Sequence, residues 1–371
     1  MKKPFVPELL PHQDIKWEPL IPLIGAANRA LAHYDGALYG VPNPAVLLSP
    51  MTTQEAVLSS RIEGTQATLG DVLRFEAGEE PKQESRKLDI QEINNYRAAL
   101  RHAEKGLTKR PFNLNLLLEL HSILLNSVRG RDKGRGQFRT VQNWIGEHGT
   151  PMEKASYIPP EPARIMPLMD NWEKYYHMER PDPLVQLAVV HAQFEIIHPF
   201  VDGNGRLGRI LIPLYLSERK ILRQPMFYLS GYLETHRDDY IAALRNLGQS
   251  EGAWNRWITF FLKALIEQAN QNAERARAIM DLYVRLKNRV IELTHSKFAV
   301  PMLDILFLRP VIRSSEFADH KSMPSKPMIG SMLSALKKDG ILKTIRASSG
   351  RRSEILAFAE LINLAEGKKV I

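Results

Sequence analysis

The sequence predicts a mainly α-helical protein, and three observations carry this prediction. Apolar residues recur at three- and four-residue spacing along most of the chain up to about residue 292, which is typical of amphipathic helices. Segments rich in β-branched residues are few and short. The 371 residues, 44% hydrophobic and 25% charged, have the composition of an ordinary globular protein and the length of two or three domains.

Composition excludes several kinds of site and location. The chain has no cysteine, so disulfides, thiolate zinc sites and cysteine nucleophiles are excluded. The N-terminal stretch Met-Lys-Lys-Pro-Phe-Val-Pro has no apolar run of signal-peptide length, and no segment is long enough for a membrane span. We therefore expect a cytoplasmic protein without a membrane partner.

The N-terminal region is predicted to become regularly helical after residue 48. Residues 1–48 are interrupted by prolines and predict only short helical patches around the core. Ser49 and Pro50 are residue types that begin helices, and Gly64 is a natural end for the same helix. The same apolar spacing predicts two further helices, at about 85–105 and 113–128.

The helical pattern breaks between residues 130 and 160. Residues 130–136 are rich in glycine and charge and predict a loop. Two segments with strand-type residues, 138–145 and 155–158, flank residues 147–151 and predict a β-hairpin. The helices predicted beyond it are 162–178, 183–197, 204–219, 235–247 and 252–292.

The end of the chain changes to shorter elements. Short helices are predicted at 301–308, 314–319 and 326–338, followed by strands at 341–345 and 354–359. Three helices followed by a hairpin with a basic tip resemble a winged helix-turn-helix, with a recognition helix at 328–338 and a wing at 346–352. The predicted domains are an N-terminal helical region (1–110), a catalytic core (111–270), a linking helix (271–298) and a winged-helix domain (299–371).

Positive charge is concentrated in this C-terminal part. The whole chain carries a net charge of +9, and residues 285–371 contain 16 Lys/Arg against 8 Asp/Glu. Such an excess indicates an anionic partner, for which DNA is a candidate. A solubilising basic surface explains the charge equally well, so both interpretations stay open.

The most informative stretch is residues 198–209, which read His-Pro-Phe-Val-Asp-Gly-Asn-Gly-Arg-Leu-Gly-Arg. His198 is a candidate general base, because an unperturbed imidazole titrates near neutral pH. Asp202 offers the carboxylate oxygen that Mg²⁺ prefers. The turn Gly203-Asn204-Gly205 can direct backbone N–H groups at a phosphate, because glycine lets the backbone fold into an anion-binding nest.

Two arginines follow on the helix predicted to begin near Asn204. Arg206 and Arg209 are three residues apart, so their guanidinium groups project to one side. The free N–H groups and the positive dipole end of that helix point at the same loop. A base, a metal ligand, a phosphate turn and two positive charges are the set of groups that a nucleoside triphosphate requires.

The same stretch contains Gly203-x-Gly205-x-x-Gly208, the spacing of a dinucleotide-binding fingerprint. That fingerprint requires a strand before the loop and an acidic residue about 20 positions later. The preceding residues 183–197 have helical spacing instead. We therefore expect a helix–loop–helix rather than a dinucleotide-binding fold.

The run 198–209 resembles the motif of the Fic family, His-x-Phe-x-Asp/Glu-Gly-Asn-Gly-Arg-x-x-Arg, and meets every position of it. The resemblance extends over about residues 40–290, and family members often carry a C-terminal winged helix. It implies a Fic-type helical core with a small β-hairpin flap. Most members with the intact motif transfer AMP from ATP to a protein hydroxyl, so the resemblance implies a protein adenylyltransferase that uses ATP and Mg²⁺.

The resemblance also assigns roles to the motif. His198 would deprotonate the incoming Ser, Thr or Tyr hydroxyl of a target protein or of the chain itself. Asp202 would hold the Mg²⁺ that bridges the α- and β-phosphates. The glycine turn would stabilise the α-phosphate, and the two arginines would bind the β- and γ-phosphates. The residues assigned to the nucleotide are Gly203, Asn204, Gly205, Arg206, Leu207, Gly208, Arg209 and Tyr240.

A second family signature predicts autoinhibition. The segment Ser59-Ser-Arg-Ile-Glu63-Gly64 matches the Ser/Thr-x-x-x-Glu-Gly/Asn signature of the family's inhibitory helix, here about residues 50–63. A carboxylate at the C-terminal end of a helix is unfavourable by about 0.3–1 kcal/mol, which a positive partner would offset. By resemblance the partner of Glu63 is Arg209, and the pair would occupy the place of the γ-phosphate.

The predicted hairpin matches the position of the family's flap, which binds the target backbone as an added strand. Tyr157 and Ile158 would then contact the target. Alternatives stay open: a transferase of another phosphate-containing group, removal of AMP from a modified target, or a DNA-binding regulator in which the winged helix is the main function. The winged helix could also serve in homodimerisation or target docking.

Overall fold

The computed structural model describes residues 3–127, 133–146, 151–248, 250–350 and 352–370. Within these ranges the chain forms fifteen α-helices and three short strands. The helices are α1 (Ile21–Tyr39), α2 (Pro44–Leu47), α3 (Ser49–Ile62), α4 (Leu69–Glu76), α5 (Glu84–Leu107), α6 (Leu114–Leu124), α7 (Ile165–His177), α8 (Pro183–Ile197), α9 (Asn204–Glu218), α10 (Ser230–Thr235), α11 (Arg237–Arg245), α12 (Ala253–Thr294), α13 (Ala299–Leu308), α14 (Lys326–Lys338) and α15 (Ala359–Glu366). The strands are β1 (Val311–Arg313), β2 (Lys343–Arg346) and β3 (Ile355–Ala357). The prediction of a mainly α protein is confirmed.

The N-terminal prediction of short helical patches is wrong, because α1 is a continuous helix of 19 residues. Pro22 stands in its first turn, where a missing N–H costs no hydrogen bond. No proline occurs between Pro22 and Pro42, so the helix is free to continue. Its buried positions recur at helical spacing and include Ala27, Leu31 and Leu38.

Several elements differ from their sequence predictions. The helix predicted at 235–247 corresponds to α11, and His236 separates it from the preceding helix α10. Four elements were not predicted: α4, α10, β1 and α15. The helix α4 begins with a reciprocal pair of hydrogen bonds between Thr68 and Asp71, a capping box that fixes the start of even a short helix.

The chain divides into two units, each built from segments distant in sequence. The first consists of the described residues of 1–33, 58–64 and 94–270, and the second of those of 34–57, 65–93 and 271–371. The predicted boundary after residue 270 falls within α12, which is a single helix of 42 residues. The contiguous domains predicted from the sequence stay a prediction.

The first unit is organised around α8. Thirteen of its fifteen residues are buried, so this helix is apolar on every side and packs between α7 and α9. Trp172 on α7 anchors the packing, because its indole N–H donates to the Val190 carbonyl at 2.8 Å. This burial fixes both ends of the loop that joins α8 to α9.

The second unit contains the three-stranded antiparallel sheet in the order β1-β3-β2. Val311 of β1 and Lys343 of β2 both pair with Ala357 of β3. Apolar residues of α4, the sheet and α15 form a common core: Leu69, Leu73, Ala77, Val311, Ile355, Ala357, Ile362 and Ala365. The elements after residue 298 include the predicted short helices and hairpin, and the name winged helix stays a prediction.

The predicted flap hairpin is reduced in the described residues to one antiparallel bridge between Ile145 and Tyr157. Residues 147–150 of the predicted turn, residues 130–132 of the predicted loop and Arg351 of the predicted wing lie outside the described residues. Among the helices that the structure describes, none combines the length and the apolar character needed to cross a membrane.

Candidate active site

The motif at residues 198–209 forms the junction between two buried helices. α8 ends at Ile197, His198 follows with positive backbone angles (φ 50°, ψ 59°), and α9 begins at Asn204. Gly203 precedes α9 at φ 82°, a left-handed conformation that glycine adopts without steric cost. The motif therefore lies in a helix–loop–helix, and no strand precedes it as a dinucleotide-binding loop would require.

The side chain of Asn204 is part of the loop's own hydrogen bonding. Its Oδ1 accepts from the Phe200 N–H, and its Nδ2 donates to the Phe200 carbonyl. The residue is buried, so only its backbone is available to a ligand. The sequence assigned Asn204 to the nucleotide; its side chain is committed to the protein.

His198 carries its proton on Nδ1. That nitrogen lies 3.4 Å from the Glu195 carbonyl oxygen, which can only accept a hydrogen bond. Nε2 is then the basic nitrogen of the ring. Burial lowers the pKa of His198 to about 4, so the imidazole is neutral at pH 7. A neutral ring with a free Nε2 lone pair can accept a proton from a substrate.

Arg139, which the sequence did not single out, fixes the backbone around His198. This buried guanidinium donates to the carbonyls of His198 at 2.9 Å, Val141 at 3.1 Å and Pro160 at 2.5 Å. Its own N–H donates to the Pro199 carbonyl at 2.9 Å. Arg139 lies in an irregular segment where no sequence pattern marks it.

His121 supports the other end of the loop. Its Nδ1 accepts from the Gly136 N–H at 2.9 Å, so Nε2 carries the proton and donates to the Asp202 carbonyl at 3.0 Å. The ring stacks on Phe200 with centroids 3.8 Å apart. Burial lowers the pKa of His121 to about 4. A polar residue on the apolar face of the predicted helix at 113–128 was the one sequence signal for this role.

Asp202 stands at the rim of the loop. Its Oδ1 accepts from the Gly203 N–H at 2.6 Å and lies 3.4 Å from Nη2 of Arg206. The side chain is 44% exposed, which leaves carboxylate surface open to solvent. Such a group can provide one oxygen ligand to a hard cation.

Arg209 is bound from the end of α3. Its Nε donates to Ser59 Oγ at 2.8 Å, and its Nη2 donates to the Ser59 carbonyl at 2.9 Å and to Glu63 Oε1 at 2.6 Å. The guanidinium is almost fully buried. Burial opposes its charge, but the Glu63 carboxylate outweighs burial and raises the pKa of Arg209.

Glu63 is one residue beyond the end of α3. Desolvation opposes its ionisation, but the charge of Arg209 and its hydrogen bond outweigh that effect and lower the pKa of Glu63. A Cβ atom added at Gly205 would lie 2.3 Å from Glu63 Oε1. The carboxylate therefore lies directly on the first turn of α9, in space that only a glycine leaves open.

A cavity of about 400 Å³ joins these groups within the first unit. Six of the residues singled out in the sequence line it: Glu63, Tyr157, His198, Gly205, Arg209 and Tyr240. The cavity wall does not include Ser59, Ile158, Asp202, Gly203, Asn204, Arg206, Leu207 or Gly208. The Leu207 side chain is completely buried, so it contributes packing rather than a ligand contact. Glu195, which the sequence analysis did not name, also lines the cavity.

Tyr240 is 3% exposed, and its hydroxyl is engaged by the protein. His191 Nδ1–H donates to the Gly208 carbonyl at 3.2 Å, so its Nε2 accepts from the Tyr240 hydroxyl at 2.9 Å. Burial lowers the pKa of His191 to about 3. The Tyr240 hydroxyl is thus part of a buried series of hydrogen bonds, and Tyr240 lines the cavity.

The flap residues are held from two sides. The Tyr157 hydroxyl donates to the Ile196 carbonyl at 2.8 Å, and Tyr157 exchanges backbone hydrogen bonds with Ile145. Ile158 is buried, and its carbonyl accepts from the Phe5 N–H at 2.8 Å. The Tyr157 ring therefore borders the cavity, whereas Ile158 contacts the N-terminal segment.

Comparisons with known proteins agree with this architecture. The model of the Fic/DOC family N-terminal region matches residues 21–105, and the model of the Fic/DOC family matches residues 111–216, together about half of the chain. A solved Fic family protein from Desulfovibrio desulfuricans superposes with a TM-score of 0.56 at 21% identity, covering 91% of this chain and 96% of that one. Residues 134–508 of Fic-1 from C. elegans superpose with a TM-score of 0.54 at 20% identity, covering 71% and 75%.

Two curated relatives match a shorter part of the chain. The protein adenylyltransferase Fic of Drosophila grimshawi is 30% identical over 125 residues, which are 33% of this chain and 24% of the relative. A probable protein adenylyltransferase of Aquifex aeolicus is 35% identical over 100 residues, 27% of this chain and 28% of the relative. The chain thus matches about a quarter of the length of these relatives.

Proposed function

This chain belongs to the Fic/DOC family, and we propose that it is a protein adenylyltransferase. It would transfer AMP from ATP to a Ser, Thr or Tyr hydroxyl of a target protein, with release of pyrophosphate. The observation that carries the proposal is the meeting of His198, Gly205 and Arg209 at one cavity. The names of the two curated relatives support the same reaction.

In this reaction His198 is the general base. Its Nε2 is unprotonated at neutral pH and has no hydrogen-bond partner among the described residues, as a proton acceptor requires. The bonds from Arg139 to the adjoining backbone hold the ring at the cavity wall. Alignment of the hydroxyl, the base and the phosphate can supply roughly 7–11 kcal/mol of the barrier, so this rigidity is part of the catalysis.

The triphosphate would bind at the N-terminus of α9. That helix has fifteen residues, and the N–H groups of its first turn and its positive dipole end attract an anion. Gly203 and Gly205 permit close approach of phosphate oxygens. Arg209 would bind the terminal phosphates once Glu63 withdraws, and Arg206 would assist on the side of Asp202.

Mg²⁺ fits the residues present. Mg²⁺ is usually held by one or two carboxylates together with substrate phosphates, and Asp202 offers one half-exposed carboxylate beside the loop. The described residues contain no group of three or more metal-binding side chains, so phosphate oxygens and water would complete the coordination. When bound, the ion would neutralise negative charge on the α- and β-phosphates.

The proposal includes autoinhibition by Glu63. Its carboxylate already holds Arg209 by a charge-assisted hydrogen bond of 2.6 Å, and a terminal phosphate would need the same guanidinium. Ser59 adds two bonds that fix the arginine in this arrangement. Displacement of Glu63 would therefore precede productive ATP binding. In the reverse direction the same carboxylate could support removal of AMP.

Target binding would use the flap. Tyr157 borders the cavity beside Trp144 and Ile145, and an extended target segment could add to this edge as a strand. Ile158 would stabilise the flap rather than touch the target, because it is buried. Transfer of another phosphate-containing group, homodimerisation and a cytoplasmic setting remain predictions from the sequence.

DNA binding by the C-terminal elements is a second candidate function, favoured by the excess of positive charge after residue 285. Lys338 and Arg352 are exposed, but Lys337 is paired with Glu354 at 2.9 Å. A duplex-binding assay at low and high salt tests this function. Binding that falls with salt and is lost when Lys338 and Arg352 become Ala would support it; no binding at low salt would reject it.

The experiment for the main proposal compares two labels. The wild type, Glu63→Gly and Glu63→Gly/His198→Ala are incubated with a protein acceptor mixture and ATP labelled at either the α- or the γ-phosphate. AMP transfer labels protein from α-labelled ATP alone, and only in variants that retain His198. We expect Glu63→Gly to exceed the wild type by at least tenfold. Equal labelling by those two would reject the autoinhibition, and γ-label transfer would reject the reaction.

A further inference from the structure

Glu195 is a partly buried acid at the cavity wall, and the proposed mechanism gives it no role. It lies on α8, three residues before His198, and its backbone carbonyl faces His198 Nδ1. Its side-chain Oε1 is enclosed and has no hydrogen-bond partner among the described residues. A buried carboxyl oxygen without a partner is costly in an unliganded protein, so its position calls for a ligand or a charge state that explains it.

Glu195 lies beside the inhibitory carboxylate. A Cβ atom at Gly208 would lie 2.2 Å from Glu195 Oε1, just as one at Gly205 would lie 2.3 Å from Glu63 Oε1. Gly205 and Gly208 are three residues apart on α9 and therefore share one face of that helix. The carboxyl groups of Glu63 and Glu195 thus lie against the same turn of α9, and both line the cavity.

The charge state of Glu195 follows from its surroundings. Burial raises its pKa to about 8, Arg209 opposes this rise, and the negative charge of Glu63 adds to it. The other titratable groups around it are Tyr240 from α11, the neutral His191 of its own helix and the neutral His198 just beyond that helix. With an anion bound to Arg209, the Glu195 carboxyl therefore keeps its proton at neutral pH.

We propose that Glu195 is a neutral hydrogen-bond donor to the terminal phosphates of the nucleotide that replaces the Glu63 carboxylate. The inference rests on the proposed function, because it needs a phosphate in the place of Glu63. A phosphate there brings at least the negative charge that Glu63 brings. The protonated acid then donates to a phosphate oxygen, whereas the ionised acid would repel it. The anion would thus bind only when the Glu195 carboxyl is protonated.

The test measures binding of ATP with Mg²⁺ to the full chain by calorimetry between pH 6.5 and 9. All variants carry Glu63→Gly, so that the cavity is open. We expect affinity for ATP to fall with rising pH, by up to about tenfold per pH unit, since the ligand requires one proton on Glu195. Binding should also take up a proton, measurable as a dependence of the heat on the buffer.

Glu195→Gln keeps a donor that cannot ionise, so we expect the extra pH dependence and the proton uptake to disappear. Glu195→Met is uncharged but cannot donate, so its affinity should be lower than that of Glu195→Gln at every pH. Glu179→Gln removes an exposed carboxylate that does not line the cavity and serves as the matched control. Melting temperatures establish that each variant is folded.

The possible failures are distinct. An identical pH dependence for the Glu195 and Glu195→Gln proteins overturns the inference and leaves the proposed function intact. Equal affinities of Glu195→Gln and Glu195→Met overturn the donor role. Absence of ATP binding by every folded variant, including the one with Glu63→Gly alone, contradicts the proposed function and the inference together.

Discussion

The side chain of Asn204 binds both backbone polar groups of Phe200, with N···O distances of 2.9 Å for each bond. These two bonds close the loop between α8 and α9 from inside. Loss of either partner would leave buried backbone groups unpaired, and each such group costs about 1–3 kcal/mol.

We expect Asn204→Ala to lower the free energy of unfolding by about 2–4 kcal/mol and to abolish ATP binding, because the loop loses both bonds. Denaturant unfolding and calorimetry measure the two effects. Asn28→Ala is the matched control, since Asn28 is exposed and donates a single bond to the Ile24 carbonyl. Similar losses of stability in the two variants would refute a special role for the Asn204 side chain.

Removal of Glu63 should destabilise the unliganded protein while exposing the nucleotide site. Arg209 would then be a buried cation without its carboxylate partner. Removing one partner of a fully buried ion pair lowers the free energy of unfolding by about 3–5 kcal/mol. We expect a smaller loss here, because the Glu63 side chain is 39% exposed. We expect a lower Tm for Glu63→Ala and Glu63→Gly than for the wild type. ATP with Mg²⁺ should raise the Tm of both variants and leave the wild type nearly unchanged. An ATP shift in the wild type as large as in the variants would contradict this.

Acid should destabilise the protein well above the range in which carboxylates titrate. Burial lowers the pKa of His121 to about 4 and that of His191 to about 3, from 6.5 in the unfolded chain. Between the folded-state and unfolded-state pKa values the unfolded chain therefore binds more protons than the folded protein. The free energy of unfolding falls as the pH decreases from about 6.5. Each histidine contributes a slope of up to about 1.4 kcal/mol per pH unit. Urea unfolding at pH 7, 6 and 5 measures it, and a flat stability over this interval would exclude buried neutral imidazoles.

Chelation of Mg²⁺ should stop AMP transfer, and Asp202→Asn should raise the Mg²⁺ concentration needed to restore it. An asparagine Oδ1 can still accept from the Gly203 N–H, so the loop should stay folded while the ligand charge is lost. We expect at least about a tenfold higher Mg²⁺ requirement for a lost metal ligand. Labelling is measured against Mg²⁺ concentration in the Glu63→Gly background. An unchanged requirement would show that Asp202 is not a ligand.

The chemistry of the loop was predictable because its residues are contiguous. His198, Gly205 and Arg209 lie within twelve residues, and their types alone suggest a base and a phosphate site. Glu63 is 146 positions from Arg209, and only the family signature linked them. Arg139 and Glu195 could not be predicted, because their roles depend on backbone carbonyls and on a glycine face that tertiary packing brings to them.

The fold was predictable where apolar residues recur at regular helical spacing over many residues. The first helix was not predicted because the prolines near it indicated an irregular segment, although its buried residues recur at helical spacing. In its described residues the flap has one bridge rather than two strands, since the N–H groups of Ser156 and Tyr157 both donate to the Ile145 carbonyl and Pro159 cannot continue the ladder. The short α4 gave too little periodic signal, although its capping pair was visible in the sequence.

The left-handed backbone of His198 places folding stability and the proposed catalysis in opposition at one residue. This conformation destabilises a residue that has a Cβ atom by about 1 kcal/mol, and glycine has no such steric cost. With respect to backbone strain alone, glycine would be the more favourable residue at position 198. The histidine at this position thus combines an unfavourable backbone conformation with the imidazole that the proposed reaction requires.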